Sequence, residues 1–228
     1  MHLSLLKLQK FNHQIIQLTA MIFMFAHAFS YVGVVNIFAG IMIGGFVVSA
    51  YYHRCLSHKS WEAPEWLHRI LLVNGATFAL SPALIWVDIH RKHHRYADTD
   101  QDPHGPKAGI KKNLFLSFAD TDMKSVRREL RNPLLLWQLK HYWHLLAVGF
   151  VFWSFVFGPE SWLIITGLIY FAQIVVNVVG HYGGLTQSHI LSVLTSGELY
   201  HKRHHEDPNE AKFGLIDIPY YLMIRWTK

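Results

Sequence analysis

The chain has 228 residues, of which 51% are hydrophobic and only 16% charged, with eight Trp, ten Tyr and fifteen Phe. That is the profile of one domain whose apolar segments enter a bilayer with polar segments attached. The formal charge of +6 raises nucleic acid as a partner, but the placement of the charges below explains it without one. Cys55 is the only cysteine and excludes an intrachain disulfide. Seventeen histidines are the largest anomaly.

Residues 1–13 are short and mixed, with Lys7 and Lys10. From Phe11 to Tyr52 there is no Asp, Glu, Lys or Arg, about twice the roughly 20 apolar residues that one spanning helix needs. Two spans, at 14–31 and 34–52, with a tight turn near Ser30-Tyr31-Val32-Gly33, fit this stretch. The competing reading is a secretory leader cleaved at Ala26-His27-Ala28. That would leave one span before the first histidine cluster.

The first cluster is His53-Arg54-Cys55-Leu56-Ser57-His58. Residues five apart sit about 140° apart on an ideal α-helix, so the two histidines need not share a face. Either the second span ends here and the chain turns, or two different metals are served. Residues 70–87 are apolar again. A crossing there would put the first and second clusters on opposite sides of the bilayer, and Ser81-Pro82 interrupts the run. A buried or re-entrant helix pair is expected instead.

The second cluster, His90-Arg91-Lys92-His93-His94, has a twin in His201-Lys202-Arg203-His204-His205. Residues i, i+3 and i+4 lie on one face of a helix, and neutral imidazole suits iron, zinc and copper. Three on one face is close to what one metal needs from one side. The bland alternative is a solvated basic face with incidental histidines; two copies of H-x-x-H-H in one chain argue against it. Asp98 and Asp102 follow the second cluster and Glu198 precedes the third. Carboxylates so placed can hold the far ring nitrogen of a ligand histidine, although a polar turn would use them equally well.

Residues 105–131 carry Lys107, Lys111, Lys112, Lys124, Arg127, Arg128 and Arg131, and belong in water or on anionic headgroups. A third span is expected at 134–157, with Lys140 snorkelling and His141-Tyr142-Trp143-His144 at the interface. Gly158-Pro159-Glu160 makes a tight turn into a fourth span at 161–180. Asn177 and His181, four apart, face the same way near its end. With four spans, both termini and all three clusters fall on one side, as do the 21 Lys and Arg or their boundary positions. The positive-inside rule makes that side cytoplasmic. The expected protein is therefore an all-α integral membrane protein, multi-pass, with a cytosolic helical cap from 53–131 and 181–228.

These motifs resemble those of the membrane-bound fatty-acid desaturases, especially the stearoyl-CoA (delta-9) desaturase-like branch. The order H-x-x-x-x-H, H-x-x-H-H, H-x-x-H-H is the family's, and Asp102-Pro103-His104, Asn177 four before His181, and Gly197-Glu198 fit its context. The likeness covers roughly residues 14–215. It implies that His53, His58, His90, His93, His94, His181, His201, His204 and His205 bind two iron ions, and that Asn177 holds a water at one of them. Asp98, Asp102 and Glu198 are the candidate outer partners.

The resemblance also implies a chemistry. No amino-acid side chain can remove hydrogen from an unactivated methylene, so the cofactor carries that step. O2 is the co-substrate, and a fatty acyl chain on CoA or a lipid loses two vicinal hydrogens. There is no Rossmann fingerprint, cysteine cluster or haem motif, so electrons come from a separate donor such as a ferredoxin, rubredoxin or cytochrome b5 type protein. Lys and Arg near the clusters suit an acidic carrier or a substrate phosphate. Trp61, Trp66 and Trp86 are candidates for the wall of an acyl tunnel. Two other functions compete: hydroxylation or oxidation of alkyl, carotenoid or sterol substrates by the same centre, and metal transport. Transport would need ionisable groups deep in the spans, which are almost free of them.

Overall fold

A computed structural model describes residues 3–109, 113, 121–182 and 186–226, with the backbone alone for 3–12 and 226. Lys111 and Lys112 lie outside the described residues, as do the side chains of Lys7 and Lys10. Apart from one isolated bridge, Gln187 to Tyr200, the described residues are helical or irregular. Helix α1 spans Leu3–His27 and α2 starts at Tyr31. Ser30 caps α2 by accepting from the Gly33 N–H at 2.9 Å, which supplies one of the orphan donors at a helix start.

The second helix does not stop where a span of 34–52 would end. It continues from Tyr31–Gly44 into a π-helical segment, Gly45–His58, which closes at Lys59 in the left-handed region with its N–H on the Arg54 carbonyl. The expected turn at the first cluster is therefore absent. Helices α3 (Glu65–Thr77) and α4 (Ala83–Tyr96) form a hairpin whose bend includes Ala79 at φ 53°. At 13 and 14 residues, each is too short to cross a bilayer. Residues 70–87 thus form the buried pair expected. Helices α5 (Pro133–Phe157) and α6 (Pro159–Val179) are joined through Gly158 at φ 87°, a conformation open to glycine without a Cβ penalty. Asn132 caps α5, and proline opens both helices. Short helices α7 (His189–Leu194), α8 (His201–Glu206) and α9 (Ile218–Leu222) complete the cap.

Two stretches among the described residues are long and apolar enough to cross a membrane, Tyr31–His58 and Pro159–Val179. Helix α6 is the hub. Gly167 lies against α1, where a Cβ would come within 2.3 Å of the Ala20 carbonyl oxygen, and Gly40 of α2 packs on Leu168. Apolar side chains face outward on three helices, among them Ile22 and Phe25 of α1, Val34 and Phe38 of α2, and Val151 and Phe155 of α5. A belt of that kind marks a surface made for lipid rather than water, and the chain is membrane-associated.

The tip of the α3–α4 hairpin enters the bundle, where its freed backbone groups cannot reach solvent. Side chains take the place of water. Gln17 Nε2 donates to the Ala79 carbonyl at 2.9 Å, and Trp162 Nε1 to the Thr77 carbonyl at 2.8 Å. Gln138, fully buried, accepts from the Ala83 N–H at 3.0 Å and donates to Tyr52 Oη at 2.9 Å and the Leu72 carbonyl at 3.3 Å. Gln138→Leu strands those partners and is expected to destabilise the protein by about 1–3 kcal/mol, read as a lower melting temperature in detergent.

Candidate metal centre

All three histidine boxes and His181 meet at the junction of the π-helical segment, α4, α8 and the end of α6. The nine imidazoles sort into two adjacent groups. His53, His58, His90, His94 and His204 form one, and His93, His181, His201 and His205 the other. The π-helical register explains the first box. Its i→i+5 hydrogen bonding brings residues five apart nearly over one another, and the His53 and His58 rings lie 5.0 Å apart. An α-helix would have splayed them, so both alternatives drawn from the α-helical spacing are corrected: the chain does not turn and the pair is not divided.

The H-x-x-H-H boxes do not present three ligands to one ion, as their common face suggested. At 100° per residue, positions i and i+4 differ by about 40°, while i+3 falls on the other side of i. Accordingly His90 and His94 enter the five-histidine group and His93 the four-histidine group. In the third box the sense reverses: His201 and His205 enter the four-histidine group and His204 the five. Each box therefore stitches the two groups together.

Inside each group the Nε2 atoms converge. His53 and His204 are 2.9 Å apart, His58 and His90 2.8 Å, and His94 and His204 2.8 Å. In the other group His181 and His201 are 2.7 Å apart, His201 and His205 3.1 Å, and His93 and His205 3.3 Å. Two nitrogens bound at right angles to one ion at about 2.1 Å lie about 3 Å apart, so the residues present fit a metal ion in each group. Burial holds His90, His94, His201 and His204 well below the ordinary histidine range, and His205 down to about 3, with neighbouring imidazoles adding to the effect. The rings stay neutral, as ligands must be.

The carboxylates take the far side of the rings. Glu198 lies 2.6 Å from His53 Nδ1, Asp102 2.9 Å from His93 Nδ1 and Asp98 3.1 Å from His181 Nδ1. Each such contact fixes a tautomer with Nδ1–H donating outward and the Nε2 lone pair turned inward. Burial pushes Glu198 up to about 7, opposed by Arg54; Ser49 Oγ also donates to Glu198. The residues between the histidines are used as well. Arg91 donates to the Leu56 and Ser57 carbonyls at 2.9 and 3.0 Å, to the Ser125 carbonyl at 2.8 Å and to Glu129 at 2.8 Å. It thereby ties the end of the first box to α4. Lys92 pairs with Asp88 and Asp122.

An elongated cavity runs from Gly40 and Leu168, past Gly44, Val48 and Ile169, to His53, His90, His93 and His201, with Asn177 in its wall. Trp86 lines it, stacks on His90 at 4.9 Å and donates to Gln173 at 3.1 Å. Trp61 instead donates to the Ala50 carbonyl and borders a separate surface groove, and Trp66 is exposed. Of the three tryptophans, only Trp86 reaches the cavity. His141 and His144 are exposed on α5, outside both groups. His104 stacks 4.2 Å from His93 and shares a group with His93 and Asp102. Its place in Asp102-Pro103-His104 was the available signal, but no H-x-x-H-H spacing marked it.

A family model described as fatty acid desaturase matches residues 28–223. Among curated proteins, the chain is 34% identical over 198 residues to Delta-9 desaturase-like 5 protein of Arabidopsis thaliana, covering 75% of this chain and 66% of the relative. It is 28% identical over 210 residues to Delta-9 acyl-lipid desaturase 1 of Arabidopsis thaliana (79% and 68% covered). To sn-2 palmitoyl-lipid 9-desaturase of a Nostoc species it is 30% identical over 206 residues (79% and 71%). The matches span about two thirds of the length of these relatives. The chain belongs to the fatty acid desaturase family, a family of oxygen-using oxidoreductases, and its relatives place it on the delta-9 side of that family.

Separate replacement of His204 and His205 by alanine is expected to remove about half of the bound metal in each case, because each takes ligands from one group. Elemental analysis of the purified variants reads this. Stripping the metal with a chelator should lower the melting temperature, and metal at about 100 times its Kd should return about 2.7 kcal/mol.

Proposed function

We propose that the chain is a multi-pass membrane desaturase that introduces a cis double bond into a fatty acyl chain at a pair of iron ions. The observation that carries the proposal is the elongated cavity ending on both histidine groups. Its apolar walls suit a methylene chain, and its inner end would place one stretch of that chain beside His53, His90, His93 and His201. The relatives named acyl-lipid or stearoyl- and palmitoyl-lipid desaturases favour a lipid-linked acyl group over CoA, and the delta-9 position.

Five imidazoles exceed the four ligands that zinc takes in structural sites, and imidazole suits iron. When bound, the iron pair activates O2 for hydrogen removal. The nine histidines would hold it through Nε2, with Glu198, Asp98 and Asp102 locking three of the rings, and Asn177, in the cavity wall, would hold a water. The cavity orients the acyl chain and excludes bulk water. The overall change consumes one O2, two electrons and two protons, and yields the alkene and two waters. A separate redox protein of the ferredoxin, rubredoxin or cytochrome b5 type would supply the electrons. Exposed Arg95, Arg127, Arg128 and Lys202 suit an acidic carrier.

For the topology we propose four crossings, by α1, α2 with its π-helical extension, α5 and α6, with the termini and the histidine boxes in the cytoplasm. The outward apolar side chains on α1, α2 and α5 support this reading, and so does the absence of Lys and Arg from 28–33 and 158–160. The whole of 1–228 then serves one desaturase domain.

Expression in a host that supplies a redox donor, followed by gas chromatography with mass detection, tests the activity. New monounsaturated acids with the unmodified chain, absent with His93→Ala, are expected; new hydroxy acids instead would make the protein a hydroxylase. Gly44→Phe tests the cavity. A Cβ there already meets Ile169 at 3.2 Å, so the ring should fill the passage and abolish product formation while metal content stays unchanged.

A further inference from the structure

Between Phe11 and His58 the chain has a single charged residue, Arg54, and none of its side chain reaches solvent. Burying a guanidinium costs several kcal/mol unless its surroundings compensate, and here the compensation is specific. Nη1 donates to Asp217 Oδ1 at 2.9 Å. The guanidinium carbon sits 3.8 Å above the Phe213 ring, a cation–π distance. Nη2 stops 3.9 Å from Glu198 Oε1, the carboxylate that holds His53.

The far ends of these contacts are ligands of the five-histidine group. The Phe213 ring lies 4.6 Å from His204 and 5.3 Å from His53. Residues 213–217 are fixed in turn. Asp217, buried, accepts from the Phe213 N–H at 2.7 Å and the Tyr220 N–H at 3.2 Å. Tyr200 Oη accepts from the Ile216 N–H at 2.9 Å, and Gly214 lies flat on the Tyr200 ring, where a Cβ would come within 2.4 Å. The segment after the third box is thus folded back over one of the two groups and pinned there by Arg54.

We propose that Arg54 is a positioning residue for the five-histidine group: paired with Asp217, it presses Phe213 against His53 and His204 and sets Glu198 behind His53. The inference rests on reading the histidine groups as iron sites. It makes the two sites unequal: the buried arginine, its carboxylate partner and the stacked ring all lie behind the five-histidine group. A purely architectural ion pair would do less: it would fasten the C-terminal segment and leave metal affinity alone.

The test is the double variant Arg54→Met/Asp217→Asn in the full-length protein. It removes both charges together, a change that leaves folding near neutral for many buried ion pairs, while the Asn oxygen keeps an acceptor for the backbone N–H groups of Phe213 and Tyr220. Iron content is measured after dialysis against a chelator, alongside the melting temperature of the metal-free protein. The expected result is an unchanged metal-free melting temperature with affinity lost at one site by about 10–100-fold, leaving about half the iron of the unmodified chain. Phe213→Leu should give the same partial loss, and Arg54→Lys should not rescue it, because an ammonium lacks the planar fork and stack. Full iron retention in the double variant overturns the proposal. Loss of all iron together with a lowered metal-free melting temperature also overturns it, by making the pair architectural. An unmodified protein that holds no iron overturns the metal reading itself.

Discussion

Nine ring nitrogens point their lone pairs at one another across gaps of about 3 Å. Burial keeps His90, His94, His201, His204 and His205 neutral, and a proton shared between two nitrogens relieves only one contact, whereas a cation relieves every contact in its group at once. The rest of the cap follows from that demand. Three carboxylates hold outward Nδ1 atoms on His53, His93 and His181, so those rings cannot turn their lone pairs away. Arg91 stitches the end of the first box to α4. The doubled H-x-x-H-H pattern is the economical solution, since one short helix can feed both groups.

The same logic of satisfied polar groups operates below the cap. The bend between α3 and α4 breaks helical hydrogen bonding inside the helix bundle, where solvent does not reach it. Gln17, Gln138 and Trp162 reach across from three different helices to close it. Those contacts connect the membrane bundle to the hairpin whose second helix carries His90, His93 and His94. The hairpin supports Trp86, which lies flat on His90 at the end of the cavity. Core, cavity and ligand set are therefore one packed object rather than a site laid on a scaffold.

Much of this was legible in the sequence. The four long helices fall where uninterrupted apolar runs predict them, and the short hairpin where Ser81-Pro82 breaks a run. The boxes contain eight of the nine imidazoles that converge, and His181, which lies in no box, followed from its place four after Asn177 and from the family resemblance. What failed was phase. A spacing of five was read on an α-helical wheel, and only the π-helical register brings His53 and His58 together. The division of each box between two groups depends on helices arriving from both sides, which one sequence does not reveal. Arg54 is a lone charge in an apolar run, which is itself a signal, but its partner Asp217 lies 163 positions away, a pairing that spacing along the chain does not reveal. Trp61 and Trp66 show the converse, since closeness in sequence to a box says nothing of which way a ring turns.

The helix that begins at Tyr31 and ends at His58 has no break. Away from the histidines it packs on α6 through Gly40, and its other end bears two of the nine imidazoles. No hinge separates that contact from the ligands, so a rotation at one end arrives undiminished at the other. Side chains along its lipid-facing side are free to vary within apolar limits. Inserting or deleting a single residue between Gly44 and His53 is a different matter, because it turns His53, Arg54 and His58 together away from their partners. To mutation, this stretch is tolerant in letter and intolerant in length.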